Sequence, residues 1–312
     1  MRYFDLHCDT LYKALSENKS LTKNDLCVSF EKGSAFKPWV QCFAIWIPDD
    51  LRGESAFSLA QKAYEFFLDQ IAFSDGKITL CKNKTDLQNI KNTNSCGAVF
   101  TIEGSAALAE NLENLSVFSD MGLKIMTLTW NEDCESGSGI SSFPDLGLTD
   151  FGKQLLLEME KLNIIPDISH ASLKLFYDVA DIYPKPIIAT HSNSKTICTN
   201  KRNLSDEQFN IIKQKNGIIG LNYYKEFLNN DPQKASVCDI LRHTEYFLSL
   251  GGEDIVCMGS DFDGADMPKD IKGIESVYDI ANCFLRHNYS ETMVNKILFD
   301  NAYNFFINSF TN

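Results

Sequence analysis

A histidine and an aspartate two residues apart are the first side chains in the chain that could do chemistry. His7 and Asp9 lie in the apolar segment "FDLHCDTL", a predicted strand. Because residues i and i+2 of a strand point to the same face, the imidazole and the carboxylate would project together. Nitrogen and oxygen ligands of these types bind Zn²⁺ or a related divalent ion. An isolated His-x-Asp is a weak signal, so a metal site requires partners elsewhere in the sequence.

Such partners occur at the C-terminal ends of other apolar runs. They are Glu103, His170, His191, Asp261 and Asp263. Counting His7, three of the five histidines in the chain fall at run ends. This set is larger than one tetrahedral catalytic ion needs, so two metal ions that share a bridging carboxylate fit it better. Glu103 lies between the other ligand groups in chain order and is the predicted bridge.

Eight apolar runs must position these side chains. They span residues 3–9, 39–47, 97–104, 123–130, 163–170, 186–192, 217–224 and 254–262. Their interiors show little polar alternation, which is typical of strands buried on both faces of a parallel sheet. Segments with helical spacing lie between them, and Thr149 and Ser205 are predicted N-caps of two of these helices. Two closing helices are predicted at about 275–286 and 290–309.

Eight strand–helix units predict an α/β fold of the (β/α)₈ TIM-barrel type, as found in metal-dependent hydrolases. The chain of 312 residues would form a single barrel domain over 1–312, finished by the closing helices. A doubly wound open sheet is the alternative, but no glycine-rich phosphate-binding motif follows the first strand. Catalytic groups of TIM barrels sit at the C-terminal ends of strands, which is where the polar residues fall.

Composition limits the classes of partner and location. The net charge of −13 argues against a nucleic acid or an anionic membrane as a partner. No apolar run approaches the roughly 18 residues of a membrane span, and the first residues lack signal-peptide features. We therefore expect a cytoplasmic protein. The ten cysteines include no C-x-x-C pair and are expected to be reduced and mostly structural. His243 and His287 lie in predicted helices and are expected at the surface.

Seven short motifs carry a family resemblance. In chain order they are "DLHCDT", "IEG", "LTWN", "DISH", "THSN", "RNLSDEQ" and "GSDFDG". On these motifs the sequence resembles the membrane (renal-type) dipeptidase family, peptidase family M19, from about residue 4 to residue 305. The close succession of "DISHAS", "ATHSNSK" and "KRNLSDEQ" makes the resemblance specific.

The resemblance implies a zinc dipeptidase with two Zn²⁺ ions per chain. His7 and Asp9 match the ligands of the first metal, Glu103 matches the bridging carboxylate, and His170 and His191 match the ligands of the second metal. The implied partner is a small dipeptide, including one with a D-residue at its C-terminal side. The family also admits a homodimer. Mammalian relatives carry membrane anchors, which are not expected for this chain.

The resemblance also assigns roles in the reaction. Asp261 matches the acid that handles the proton of the attacking water, a hydroxide bridging the two metals in the implied mechanism. Arg202 matches the arginine that holds the substrate's carboxylate, a task suited to the bidentate guanidinium. Trp130 stands where the renal enzyme has a histidine that assists the tetrahedral intermediate. Its indole N–H and the amide of Asn131 are the predicted replacement donors, and both are expected to bind substrate.

Two alternatives remain at this point. The same two-metal barrel could act on another carboxylate-bearing amide or a lactam, and Arg202 does not choose among these substrates. A metal-binding homologue without catalysis is the other alternative. The presence of all five ligand positions together with Asp261 and Arg202 argues against it.

Overall fold

The computed structural model describes residues 1–310, which are built around one sheet of parallel strands. The strands are β1 (Tyr3–Asp5), β2 (Trp39–Trp46), β3 (Ile78–Leu80), β4 (Cys96–Glu103), β5 (Ile125–Thr127), β6 (Ile165–Asp167), β7 (Ile219–Leu221) and β8 (Val256–Met258). Their hydrogen-bonded order is β6-β5-β4-β2-β1-β8-β7. β3 lies outside this order and pairs with β4.

The predicted strand at 186–192 closes the sheet into a barrel. It forms two isolated parallel bridges, Asp167 with Ile188 and Ala189 with Ile219, which join β6 to β7. The ring therefore contains the eight predicted segments, and the TIM-barrel prediction is confirmed. The sequence did not predict β3. Its three residues, of which only Ile78 is buried, are too few to show a strand pattern.

Thirteen α-helices connect the strands within residues 1–310. They are α1 (Thr10–Glu17), α2 (Phe30–Gly33), α3 (Gly53–Ala72), α4 (Lys84–Ile90), α5 (Glu113–Met121), α6 (Asp150–Leu162), α7 (Leu173–Ile182), α8 (Asp206–Gln214), α9 (Lys225–Leu228), α10 (Val237–Ser249), α11 (Val277–Arg286), α12 (Glu291–Asn295) and α13 (Asn301–Ser309). A π-helical turn, Lys296–Asp300, joins the last two into the predicted closing helix. No helix in this part of the chain is long and apolar enough to cross a membrane.

Helix starts follow the predicted capping chemistry. The Thr149 side chain accepts a hydrogen bond from the Gly152 amide at the start of α6. Ser205 and Gln208 form a reciprocal capping box at the start of α8. Both devices satisfy amides that a helix leaves unpaired in its first turn. Local sequence therefore fixes where these two helices begin.

Most strands are shorter than the apolar runs that predicted them. β1 ends at Asp5, so His7 and Asp9 lie beyond its ladder. A single bridge between Cys8 and Phe262 keeps this extension beside the segment that follows β8. The C-terminal ends of the runs thus leave the ladder and turn over the barrel mouth.

His243 is not at the surface, contrary to the expectation from sequence. Its side chain is fully buried on α10. The Ser194 amide donates to Nδ1 at 3.1 Å, and Nε2–H donates to the Leu228 carbonyl at 3.0 Å. The imidazole of His243 therefore joins the loop after the barrel segment at 186–192 to α9. Which face of α10 packs on the barrel depends on tertiary structure, which the helical pattern alone did not reveal.

Burial of His243 should make the fold sensitive to acid. Burial lowers the pKa of His243 to about 4 from its ordinary 6.5, so the unfolded chain binds this proton more readily. The stability it contributes is complete above pH 6.5 and is lost as pH falls toward 4, by up to about 3 kcal/mol. In urea unfolding at pH 7, His243→Asn should have a lower free energy of unfolding than the unmodified protein. The difference between the two free energies should become smaller at pH 4.5. His287→Asn, at an exposed site, is the control, and a pH-independent difference for His243→Asn would contradict this account.

Candidate metal centre

Six predicted residues converge at the C-terminal end of the barrel. Within residues 1–310, three overlapping groups have ligand atoms that all lie within 4.8 Å of one another. The groups are His7–Asp9–Glu103, Glu103–His170–His191 and His7–His191–Asp261. The structure therefore brings together the five predicted metal ligands and the predicted catalytic acid.

Glu103 lies between two groups of ligands. Its Oε2 is 3.8 Å from His7 Nε2, while its Oε1 is 3.1 Å from His170 Nε2 and 3.5 Å from His191 Nε2. Ligand atoms bound to one tetrahedral Zn²⁺ at about 2.0–2.1 Å lie roughly 3.3 Å apart. Oε1 of Glu103 is thus at a suitable distance from the nitrogens of His170 and His191, while Oε2 faces the single nitrogen of His7. This arrangement is compatible with the predicted bridging role of the carboxylate.

His7 and Asp9 form the other side of the cluster. His7 Nε2 is 3.3 Å from Asp9 Oδ2, and both residues are buried. Asp9 Oδ1 is also buried, without a hydrogen-bond partner among the described residues. A buried carboxylate oxygen without a partner is costly unless a cation binds it. The donor set and this unpaired oxygen fit a divalent metal ion.

The charges of the cluster also favour a cation. Burial raises the pKa of Glu103 well above its usual range, and burial raises that of Asp261 to about 7. Burial alone would lower the pKa of His7, but Glu103 and Asp9 outweigh it and raise the pKa to about 10. Burial lowers the pKa of His170 and of His191 well below the usual value. His170 and His191 are thus held in the neutral form that ligates metals. The raised pKa of His7 reflects the crowded acids, which positive charge stabilises, and a bound cation would take the place of its proton.

Hydrogen bonds behind the ligands orient their rings. His170 Nδ1 lies 2.9 Å from Asn131 Oδ1, and His191 Nδ1 lies 2.8 Å from the Thr190 hydroxyl. The Thr190 hydroxyl in turn donates to Asp167 at 2.6 Å. With Nδ1 protonated on both rings, the Nε2 lone pairs are directed at the Glu103 side. Such partners commonly tune metal-ligating histidines. Asn131, predicted to bind substrate, is therefore placed against a predicted metal ligand.

Two site residues have left-handed backbones. His170 has a φ of 70° and Asp261 a φ of 61°, which is unusual for residues other than glycine. Both follow barrel strands, and the turn directs their side chains into the mouth. Asp263 has a similar φ of 69°, but its carboxylate accepts hydrogen bonds from the Thr10 hydroxyl and the Cys27 amide instead of joining the cluster. Of the two aspartates after β8, only Asp261 joins the ligand groups of the described residues.

Arg202 is buried, and it forms no ion pair with a carboxylate among residues 1–310. Its Nε and Nη2 have no hydrogen-bond partner in this part of the chain, and the residue is 7% exposed. The guanidinium carbon lies 5.3 Å from the ring centroid of Phe227. Burial lowers the pKa of Arg202 to about 10. A buried cation without a partner is costly, and a ligand carboxylate would remove that cost.

A cavity of about 640 Å³ opens over the cluster, and Trp130, Asn131 and Phe227 are among its lining residues. Trp46 also lines this cavity and was not predicted from the sequence. Its ring packs edge-on against those of Tyr12 and Trp130, each at 5.0 Å between centroids. Trp46 is the last residue of β2, so the rule that found the ligands would also have found it.

Known proteins resemble this chain in sequence and in structure. A sequence profile of the membrane dipeptidase family, peptidase family M19, matches residues 1–307. The chain belongs to this family. A Klebsiella pneumoniae protein, described only by its place in the pqqA 5′ region, is 31% identical over 240 residues. This alignment covers 74% of this chain and 89% of that protein.

Two solved structures of metallopeptidases superpose over nearly the whole of this chain. The dipeptidase AC, a metallopeptidase of family M19, has a TM-score of 0.93 and 27% identity, covering 100% of this chain and 99% of that one. A Rhodobacter sphaeroides metallopeptidase, with a phosphinate mimic of L-Ala-D-Ala bound, has a TM-score of 0.91 and 26% identity, covering 99% of each chain. The family predicted from the motifs is confirmed, and the protein is a metal-dependent dipeptidase.

A glycine allows the loop after β8 to approach the candidate metal centre. A Cβ atom on Gly264 would lie 2.0 Å from Asp9 Oδ2 and 2.9 Å from Asp261 Oδ1. Gly264→Ala should therefore displace Asp9 and weaken metal binding about 10- to 100-fold, the usual cost of disturbing residues around a ligand. When the activity of this variant is measured at increasing metal concentrations, it should recover at high metal. Unchanged metal affinity in the variant would show that crowding the Asp9 carboxylate does not affect metal binding, and it would count against Asp9 as a ligand.

Proposed function

We propose that this protein is a dinuclear zinc dipeptidase that hydrolyses small dipeptides, including those with a C-terminal D-residue. The observation that carries the proposal is Glu103, whose two oxygens face two different groups of ligands. His7 and Asp9 would hold one ion, His170 and His191 the other, and Glu103 would contact both. Bound zinc would supply Lewis acidity for activating water and polarising the peptide carbonyl.

Asp261 is proposed to handle the protons. Its Oδ1 lies 3.9 Å from His7 Nε2, at the edge of the cluster. Burial raises the pKa of Asp261 to about 7, which suits a group that both accepts and donates a proton. Asp261 would take the proton of the attacking water and deliver it to the leaving amine.

Arg202 is proposed to bind the free carboxylate of the dipeptide. Its unpaired Nε and Nη2 would meet the two carboxylate oxygens, and Phe227 packs on its other side. Arg202 follows the barrel segment at 186–192, whereas Trp46 ends β2 on the opposite side of the barrel. A dipeptide anchored at Arg202 would thus extend across the ligand cluster toward Trp46.

Trp130 and Asn131 are proposed to contact the substrate near the second metal. Both line the cavity, and the Trp130 ring lies 6.0 Å from that of His170. The indole N–H would donate to the oxygen that becomes negative as the carbonyl is attacked. The ligand of the Rhodobacter sphaeroides relative, a mimic of L-Ala-D-Ala, supports a substrate with a D-residue. A cytoplasmic location and a homodimer stay predictions.

Metal analysis combined with a substrate panel tests this function. We expect two zinc ions per chain and hydrolysis of L-L and L-D dipeptides that is lost on chelation and restored by zinc. Two ions without dipeptide cleavage would instead indicate another carboxylate-bearing amide or a lactam. A folded protein that binds no metal at any zinc concentration would refute the ligand assignment.

A further inference from the structure

We propose that Asn222 is a positioning residue that fixes the rotamer of Asp261, so that Oδ1 rather than Oδ2 exchanges the proton. The inference rests on the role of Asp261 in the proposed function. Asn222 follows β7, and its side-chain Nδ2 donates to Asp261 Oδ2 at 2.8 Å. No sequence motif discussed above includes this residue.

The orientation of the Asn222 amide is itself determined by its neighbours. The Tyr224 amide donates to Asn222 Oδ1 at 2.6 Å, and Asn222 is fully buried. The backbone amide of Asn222 donates to Asn193 Oδ1 at 2.9 Å, which fixes the backbone as well. If the side-chain amide flipped, its NH₂ would face the Tyr224 N–H and its oxygen would face the Asp261 carboxylate. Two repulsive contacts exclude that state, so Nδ2 is presented to Asp261.

The two oxygens of Asp261 consequently have different surroundings. Oδ2 accepts the Asn222 hydrogen bond, whereas Oδ1 faces His7 Nε2 at 3.9 Å. The missing Cβ of Gly264 leaves space beside Oδ1. The left-handed backbone of Asp261 sets the direction of its side chain, but it does not set the rotation of the carboxylate. The hydrogen bond from Asn222 supplies that second constraint. Without it, the carboxylate would sample orientations in which neither oxygen faces the reacting water.

Asn222→Asp is the most direct test, because it is nearly isosteric and keeps an acceptor for the Tyr224 amide. It replaces the donor to Asp261 with a carboxylate oxygen. We expect kcat to fall about 10- to 100-fold, part of the usual contribution of a general acid–base group. KM and metal content should remain near those of the unmodified enzyme, because the Asn222 side chain hydrogen-bonds to no predicted ligand side chain in the described structure. Besides Asp261, its Nδ2 reaches only the backbone carbonyl of His191, at a long 3.4 Å.

A double-mutant cycle distinguishes positioning from a general structural role. In an Asp261→Asn background, Asn222→Asp should cause no further loss of kcat, since the group it positions has already been disabled. Equal losses in the two backgrounds would overturn the proposal. Asn222→Ser, whose shorter side chain withdraws the donor from Asp261 Oδ2 without adding a charge, serves if Asn222→Asp does not fold.

Crystal structures of the metal-loaded variants give a readout that does not require activity. We expect the Asp261 carboxylate to rotate, or to occupy more than one rotamer, in Asn222→Ser. An unchanged Asp261 would overturn the inference whatever the substrate. If the unmodified enzyme bound metal but cleaved no dipeptide, the proposed function would fail, while the rotamer of Asp261 would still decide the role of Asn222.

Discussion

Replacement of Glu103 by glutamine is expected to abolish dipeptide hydrolysis and to release bound metal. Glu103 belongs to two of the three ligand groups and is buried among His7, His170 and His191. A neutral amide offers one acceptor oxygen in place of two charged ones, so it cannot serve both groups. The loss of kcat/KM should be on the order of 10³-fold or more, larger than the roughly 10- to 100-fold cost of changing a residue behind a ligand.

Metal content per chain and kcat/KM, measured on the same preparations, check this expectation. Glu135→Gln is a matched control, because the Glu135 side chain is 6% exposed and lies outside the ligand groups. The control should retain both metal and activity. A Glu103→Gln protein that kept its full metal content would show that the carboxylate does not bridge two ions, and it would remove the observation on which the proposed function depends.

The barrel and the clustering of its predicted metal ligands could be predicted because both follow local rules. Eight apolar runs match the eight segments of the ring, and parallel strands place their C-terminal ends at one edge. His170 and His191 were therefore recognisable from their positions at run ends. The same reasoning placed Glu103 between two groups of ligands. None of these inferences required knowledge of how distant elements pack.

Residues that act through tertiary contacts could not be predicted in the same way. His243 looked like an ordinary helix residue, and its burial became visible only when α10 was packed against the loop at Ser194. Gly264 allows its loop to approach Asp9 so closely that a Cβ atom would overlap the Asp9 carboxylate. No rule of sequence spacing predicts such an approach. Asn222 lies at a run end, yet its partner Asp261 is 39 residues away in sequence. Sequence reasoning found the groups that carry charge but not the neighbours that orient them.

Replacement of Arg202 by methionine should raise KM for dipeptides and have a smaller effect on kcat. The side chain keeps most of its length and its contact with Phe227, while the charge that would bind the substrate carboxylate is lost. Truncating one partner of a buried, hydrogen-bonded ion pair costs about 2–5 kcal/mol, so kcat/KM should fall by about 30-fold or more. Dipeptide amides, which lack the carboxylate, should already be poor substrates of the unmodified enzyme and should lose little further. The preference for the free acid over the amide should therefore collapse in Arg202→Met.

The same substitution should stabilise the protein in the absence of substrate. Arg202 has two buried guanidinium nitrogens without a hydrogen-bond partner in the described chain, and replacing a buried charge by an apolar group removes its desolvation cost. A higher melting temperature together with a higher KM would indicate a residue kept for binding at the expense of stability. Lys201→Met is the control, since this neighbouring lysine is exposed and, within residues 1–310, its ammonium hydrogen-bonds only to the Ser141 hydroxyl. Its replacement should alter neither property. Equal losses on free acid and amide substrates, or a destabilised Arg202→Met protein, would assign Arg202 to the fold and leave carboxylate recognition to another cation.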